Sequence, residues 1–433
     1  MSINQELFTF IQQSPTPFHA VQAICDRLEQ NGFEQLKENA AWQLKPQGKY
    51  YLTRNRSSVV AFQLPQCDFN GFLLTSSHSD SPTFKVKSGA ELEAAGMYTM
   101  LNTEGYGGML CATWLDRPLG IAGRVLVETD TGIETRLVTL DPLRVVIPNL
   151  AIHMDREANS GKSYKLQSDM LPLFGDKAAK GGFAQLVAKA ADTTEEKVLG
   201  SELYLYNPQQ GQTLGANDEY ILCPRLDDLE CAFGTLQGFL QAVPANNVNV
   251  YAVLDNEEVG SATKQGADSN FLASVLERIC SCTGKDRQGY FAALAGSMMI
   301  SADNAHAVHP AYPGKSDPVT KTQMNEGVVV KSNAGQKYTT DAVSAALLKK
   351  IAAKAEVKLQ WFVNNSDVRG GSTLGNISST QVAINTVDVG LPQLAMHSSC
   401  ETAGSKDLHQ LVELCKAFYS SPITNTQDGN WSL

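Results

Sequence analysis

One stretch constrains the fold more than any other: Val248 to Leu254, which alternates apolar and polar residues and then runs apolar, continues directly into Asp255-Asn256-Glu257-Glu258. The first part reads as a largely buried strand. Two adjacent glutamates where such a strand must end repel each other unless a cation or a shared proton intervenes, so the pair costs stability unless it does chemistry. An acidic loop kept for solubility is the simpler account, but the same arrangement recurs along the chain. Gly71 to Thr75 is a short apolar run leading into Ser76-Ser77-His78-Ser79-Asp80, Ser297 to Ala302 leads into Asp303, and Leu394-Ala395-Met396 leads into His397. In α/β sheets, functional side chains gather beyond the carboxyl ends of the strands.

Helical patterns separate these strands, which makes the fold class α/β. Thr16 and Pro17 open an early helix as N-cap and first-turn proline, with Val21, Ile24 and Leu28 on its buried stripe. Leu229, Phe233, Leu236 and Leu240 share a face of a helix that places Asp227 and Asp228 near its N-terminus, where acids favour the helix dipole. Asp341 to Ala355 and Leu408 to Phe418 are further helices, and His409 in the latter reads as a surface residue. From about Ala95 to Tyr206 the texture changes. Runs such as Arg124 to Val127 and Arg136 to Leu140 alternate with the turn-prone Asp130-Thr131-Gly132, which predicts a mostly β insertion with one helix over Gly181 to Ala191.

Composition narrows the function classes. The chain has 433 residues, 43% of them hydrophobic, with net charge −10 and no block of Lys or Arg, which argues against nucleic-acid or anionic-membrane partners. Nine cysteines without a CxxC pair read as reduced thiols. Met1 to Phe10 lacks the basic and apolar regions of a signal peptide, and no apolar run approaches the ~20 residues of a membrane span. The expectation is a cytoplasmic protein.

His78, Asp227 or Asp228, Glu257 with Glu258, Asp303 and His397 thus fall at four strand ends and one helix start. Two imidazoles and three carboxylates suit two zinc ions sharing a bridging carboxylate, with one glutamate left as a base. Such a site hydrolyses amides. His306 and His309 have a metal-ligand spacing, but Pro310 argues against a sustained helix there, and Asp303 ranks above both. No HExxH helix and no GxSxG elbow is present, and Gly370 to Gly375 lacks the spacing and lysine of a phosphate loop.

Several stretches carry a resemblance across nearly the whole chain: Ser14 to His19, His78 to Pro82, Ile147 to His153, Arg225-Leu226-Asp227, Asp255 to Ser261, Ser301 to Pro310 and Met396-His397-Ser398. Together they resemble the aspartyl aminopeptidase family of dinuclear zinc metallopeptidases, in particular its bacterial cytosolic branch. The resemblance implies two Zn²⁺ per subunit, replaceable by Mn²⁺ or Co²⁺, with Asp227 bridging. His78 and Asp303 would complete one site, and Glu258 and His397 the other. Glu257 becomes the general base and Asp80 the acid that orients His78. His153 matches a histidine that reaches a neighbouring subunit's active site, with metal ligation as its other suggested role. Lys331 matches the cation of a substrate pocket for N-terminal Asp or Glu. The implied architecture is an α/β catalytic domain over residues 1–94 and 217–433, with helices on both faces of its sheet, interrupted by a β-rich assembly domain over 95–216. Tetrahedral homododecamers acting on short peptides are implied as well.

This chain departs from the family pattern at Ser79 and at Asp228, neither of which removes a ligand, and at Arg369-Gly370-Gly371-Ser372 and Ser399-Cys400-Glu401, changes that bear on the substrate pocket. Two other functions fit the same residues: a dinuclear deacylase of N-acyl amino acids, and a catalytically silent assembly protein.

Overall fold

The computed structural model describes residues 1–368 and 370–433, so Arg369 lies outside the described residues. The chain divides into two compact units. The first comprises Met1–Asp80, Gly211–Met396 and Glu401–Leu433, and the second Ser81–Gln210 with His397–Cys400.

The first unit is built on a nine-stranded mixed sheet. Its centre is four parallel strands in the order Val248–Leu254, Phe72–His78, Met298–Ala302 and Asn385–Gly390. Period-2 alternation sorts their side chains between two cores. Leu73, Tyr251, Val253 and Ile300 face the helices Ile3–Gln13, Pro17–Gln30, Leu226–Gln241, Ala342–Lys354 and Asp407–Tyr419, whereas Leu74, Val250, Ala252 and Met299 face Phe271–Cys282, Arg287–Ala295 and Leu374–Gln381. Because both faces are covered, every residue of Phe72–His78 and Val248–Leu254 is buried. The register pairs Leu254 with His78 and Ser301 with Ser76, so three strands end close together, releasing His78, Asp255 and Asp303 on one edge of the sheet. A smaller five-stranded sheet in the same unit includes Tyr220–Cys223 and Glu401–Gly404.

The second unit is a six-stranded antiparallel sheet in the order Gly132–Thr139, Gly120–Thr129, Val198–Tyr206, Thr83–Ala94, Tyr98–Tyr106 and Leu173–Asp176. Its core joins Phe84, Leu101, Trp114, Val125 and Leu203 to Phe183 and Val187 of the helix Gly182–Ala190. The strand Thr83–Ala94, upstream of residue 95, belongs to this unit. No helix among the described residues is long and apolar enough to cross a membrane.

Candidate metal centre

His78 is the last residue of its strand and is 1 % exposed. Its Nδ1 lies 3.0 Å from the Asp80 carbonyl oxygen, which can only accept, so this nitrogen carries the proton. In the neutral ring Nε2, 3.4 Å from Asp227 Oδ1, then keeps its lone pair, which is the tautomer a metal needs. The Asp80 carboxylate is slightly farther from Nδ1, at 3.4 Å, and its principal work lies elsewhere. Its two oxygens accept the backbone N–H groups of Glu257 (3.1 Å) and Glu258 (3.2 Å). Those glutamates form a single turn, Glu257–Val259, bracketed by left-handed Asn256 (φ 65°) and Gly260 (φ 94°). Asn256 tolerates that backbone and fixes it by accepting from Thr263 and Gln265 through its side-chain oxygen.

The two aspartates of the Leu226–Gln241 helix depart from the expected helix start. Asp227 (φ −80°, ψ 108°) and Asp228 (φ −116°, ψ 20°) are non-helical, and regular helix follows them. Tertiary bonds account for the departure: the Asp227 N–H donates to Glu401 Oε2 at 3.0 Å, and Asp228 Oδ2 accepts the His78 N–H at 3.0 Å. The acids are therefore drawn into the centre and do not cap the helix.

Candidate ligand atoms of His78, Asp227, Asp228 and Asp303 all lie within 4.8 Å of one another, and those of His78, Glu257 and Glu258 do likewise. The electrostatics of so many buried carboxylates are unfavourable without a cation. Burial and the neighbouring acids push Asp228 well above the carboxylate range against the opposing pull of His78. Burial first, then Asp303, Asp80 and Asp227, raise Glu257 to about 7, while His78 opposes. Burial raises Asp303 to about 6 in spite of Lys331. For His78 burial favours the neutral ring, but Asp228, Asp227 and Asp80 outweigh it and raise the pKa. Asp228 Oδ1 is buried with no hydrogen-bond partner. An orphaned carboxylate oxygen among oxygen and imidazole donors fits a divalent metal of the zinc type.

The remaining candidates are placed as follows. His397 belongs to the second unit, has left-handed backbone (φ 66°) and sets its Nδ1 2.6 Å from the Gly108 carbonyl oxygen, which again leaves Nε2 as the ligand atom. His153 sits in an exposed turn of that unit, between exposed Ile152 and Met154. Lys331 is buried, and its ammonium donates to the carbonyl oxygens of Asp303 (2.8 Å) and Asn304 (3.1 Å). His306 packs against Phe362 and His309 against Tyr312, and both histidines line a cavity of about 260 Å³ with Lys315, Asn364 and Asn365. Asp228, which the sequence offered as an alternative to Asp227, joins it in the cluster, and Glu401 acquires a role that the sequence reading did not assign. The only signal for Glu401 was its place in an unusual run after His397, since its partner lies 174 positions away.

Comparison with known proteins bears on this geometry. The family model described as aminopeptidase I zinc metalloprotease (M18) matches residues 10–419. A probable M18 family aminopeptidase 2 of Clostridium novyi is 44% identical over 423 residues, covering 96% of this chain and 98% of that protein. Its counterpart in Clostridium acetobutylicum is 45% identical over 417 residues, covering 94% and 96%. Among solved structures, the S. cerevisiae mApe1 dodecamer superposes with a TM-score of 0.85 at 29% identity, covering 97% of each chain.

Proposed function

The chain belongs to the M18 family of aminopeptidase I zinc metalloproteases and is therefore a zinc aminopeptidase; from that premise we propose that it holds two zinc ions per subunit and removes N-terminal residues, Asp and Glu by preference, from short peptides. The observation that carries this reading is the convergence of His78, Asp227, Asp228 and Asp303 on one edge of the sheet, with Glu257 and Glu258 suspended beside them from Asp80. Asp227, His78 and Asp303 would hold one ion and Asp227 with Glu258 the other, the ligand role of His397 being what the family resemblance implies. Mn²⁺ or Co²⁺ would suit the same donors.

Bound zinc supplies Lewis acidity to the scissile carbonyl and lowers the pKa of water to roughly 7. Glu257 takes the proton from the attacking water and delivers it to the leaving amine. Asp80 holds the turn that aims Glu257, and its carbonyl oxygen fixes the His78 tautomer. The cavity carrying Lys315, His306 and His309 has no carboxylate among the described residues that line it, which supports an acidic side chain as its occupant.

The second unit serves assembly, and the protein is a tetrahedral homododecamer in which His153 reaches a neighbouring subunit. The dodecameric yeast relative supports this, as do the exposed Leu150, Ile152 and Met154 around His153. The nine cysteines, none of them in a disulfide, agree with a cytoplasmic location. The deacylase and silent-assembly readings draw no support from the family.

Glu257→Gln tests the mechanism. The variant is expected to retain zinc and to lose on the order of 10²- to 10⁴-fold in kcat on free-amine peptides beginning with Asp, Glu, Leu or Ala. N-acetylated counterparts should resist the intact enzyme. Their cleavage in preference to the free amines would favour the deacylase.

A further inference from the structure

Asp388 is a fully buried carboxylate that belongs to none of the candidate metal groups among the described residues. It lies in Asn385–Gly390, a strand whose Val387 and Val389 point into one core. Period-2 alternation turns Asp388 to the opposite face, where Leu374 of the helix Leu374–Gln381 packs. A carboxylate is costly among apolar side chains unless its acceptor positions are filled. Here two separate connections of the chain fill them. Oδ2 accepts the Thr339 N–H (2.5 Å) and the Thr339 hydroxyl (2.6 Å), and Oδ1 accepts the Thr373 hydroxyl (2.6 Å). The backbone strengthens the first tie. Pairing with Val328–Lys331 reaches no further than Val389, and the Asp388 N–H donates instead to Thr340 Oγ1 at 2.9 Å.

Both connections lead to the cavity that carries His306 and His309. The one that follows Leu359–Phe362 supplies Val363, Asn364, Asn365, Val368 and Gly370 to its lining and ends at Thr373. The one that follows Val328–Lys331 carries Asn333, whose amide donates to Asn364 Oδ1 at 3.2 Å, and Tyr338, whose ring meets that of Phe362 in the cavity wall. The two therefore brace each other beside the cavity and are anchored to the sheet through one carboxylate. The start of the helix Leu374–Gln381 is fitted to that carboxylate as well. Thr373 occupies the N-cap, yet its hydroxyl makes no bond to its own helix, and a Cβ on Gly375 would fall 2.6 Å from Asp388 Oδ1.

We propose that Asp388 is a positioning residue for substrate binding: by tying Thr339 and Thr373 to the sheet it sets the walls of the cavity carrying His306 and His309, and it touches neither substrate nor metal. The kinetic part of this inference rests on the reading of that cavity as the pocket for the substrate's N-terminal side chain.

Asp388→Ala and Asp388→Asn, both zinc-loaded, supply the test. Alanine removes all three side-chain bonds. Asparagine replaces them, since its oxygen accepts from Thr339 while its NH₂ donates to the Thr373 hydroxyl, which can accept. In Asp388→Ala, KM for peptides beginning with Asp or Leu is expected to rise on the order of tenfold, with kcat changed less than about threefold and zinc held against a chelator as in the intact protein. Asp388→Asn should bring KM back to within about threefold of the intact value. Backbone hydrogen exchange gives a readout independent of activity. In Asp388→Ala, residues 333–340, 364–368 and 370–373 should exchange faster, while Phe72–His78 and Val248–Leu254 keep their protection. An unchanged KM, a fall in kcat with faster loss of zinc, or an equal rise in exchange throughout the first unit overturns the proposal, as does an asparagine variant no better than the alanine one. Thr373→Val covers the case in which Asp388→Ala does not fold, because it deletes a single hydroxyl bond. Its KM should rise severalfold with faster exchange in the same segments, and unaltered KM and exchange overturn the proposal. If the unaltered enzyme cleaves neither peptide, the aminopeptidase reading fails, and exchange still decides whether Asp388 ties the two connections.

Discussion

The Asp80 carboxylate gives one oxygen to each of two backbone N–H groups, those of Glu257 and Glu258. Asparagine at this position keeps one acceptor and presents an amide NH₂ to the other N–H, so one of the two contacts becomes repulsive. Asp80→Asn is therefore expected to lower kcat/KM by on the order of ten- to a hundredfold and to weaken zinc retention. Steady-state kinetics and competition with a chelator measure both, and unaltered values for both would mean that the carboxylate orients nothing. The sequence placed His78 and Asp80 at the end of a strand, where a ligand and its orienting acid belong, but it could not say which atom of Asp80 faces the ring. That depends on how the backbone turns after the strand. With the carbonyl oxygen 3.0 Å from Nδ1, the carboxylate is released to the glutamate turn. Glu401, which accepts the Asp227 N–H, illustrates the same limit, because nothing local to it marks a partner so remote in sequence.

Three of the four strand ends were legible because short apolar runs stop abruptly at His or acidic residues, and both faces of those runs are buried as an α/β sheet requires; the fourth was not, since the strand near His397 is Pro392–Leu394 of the smaller sheet and His397 follows it in a turn. Their register was not legible, since the pairing of Leu254 with His78 is set by packing and not by residue type. The start of the Leu226–Gln241 helix was legible but its backbone was not, for a related reason: two acids at a helix N-terminus satisfy the dipole rule whether or not they are helical, and here bonds to Glu401 and His78 win. Where no such competing bond exists, the local rule holds. Asp341 caps Ala342–Lys354 in full, accepting the Ser344 N–H at 2.8 Å while Ser344 Oγ accepts the Asp341 N–H at 3.0 Å. Leu347, Leu348 and Ile351 of that helix pack into the core that covers Val328–Lys331 and Asn385–Gly390. Asp341→Ala is expected to cost about 1 kcal/mol of stability and to leave kcat and KM of the zinc-loaded enzyme unchanged. Denaturant unfolding and kinetics on the same preparation check this, and a fall in kcat would show that the helix reports to the metal centre.

At the scale of the whole molecule, the β-rich insertion was legible from its alternating runs and turns, but its first strand was not. Thr83–Ala94 exposes or half-exposes Lys85, Lys87, Glu91 and Glu93 and buries only Phe84 and Val86, so it lacks the apolar continuity that marked the other strands. The centre itself couples the molecule's stability to zinc and to pH, and the sign follows from the shifts. Burial and neighbouring acids raise Glu257 to about 7 and Asp303 to about 6, above the ordinary carboxylate values near ~4. His78 is raised as well, so each of these groups holds its proton to higher pH in the folded protein than in the unfolded chain. The native state then binds more protons than the unfolded state between about pH 4 and 7, and the zinc-free protein loses stability as pH rises through that window, retaining its full share below it. Zinc requires the deprotonated ligands and binds the folded state, so its contribution grows over the same range. Thermal unfolding of chelator-treated protein should thus fall in midpoint from pH 5 to 7.5, and the increment on adding zinc should widen. In Glu257→Gln one of the titrating groups is gone, and the zinc-free slope should flatten. A zinc-free protein that instead gains stability across this interval would mean that the buried acids are already neutralised by something other than protons, and that the cluster does not depend on a metal for its charge balance.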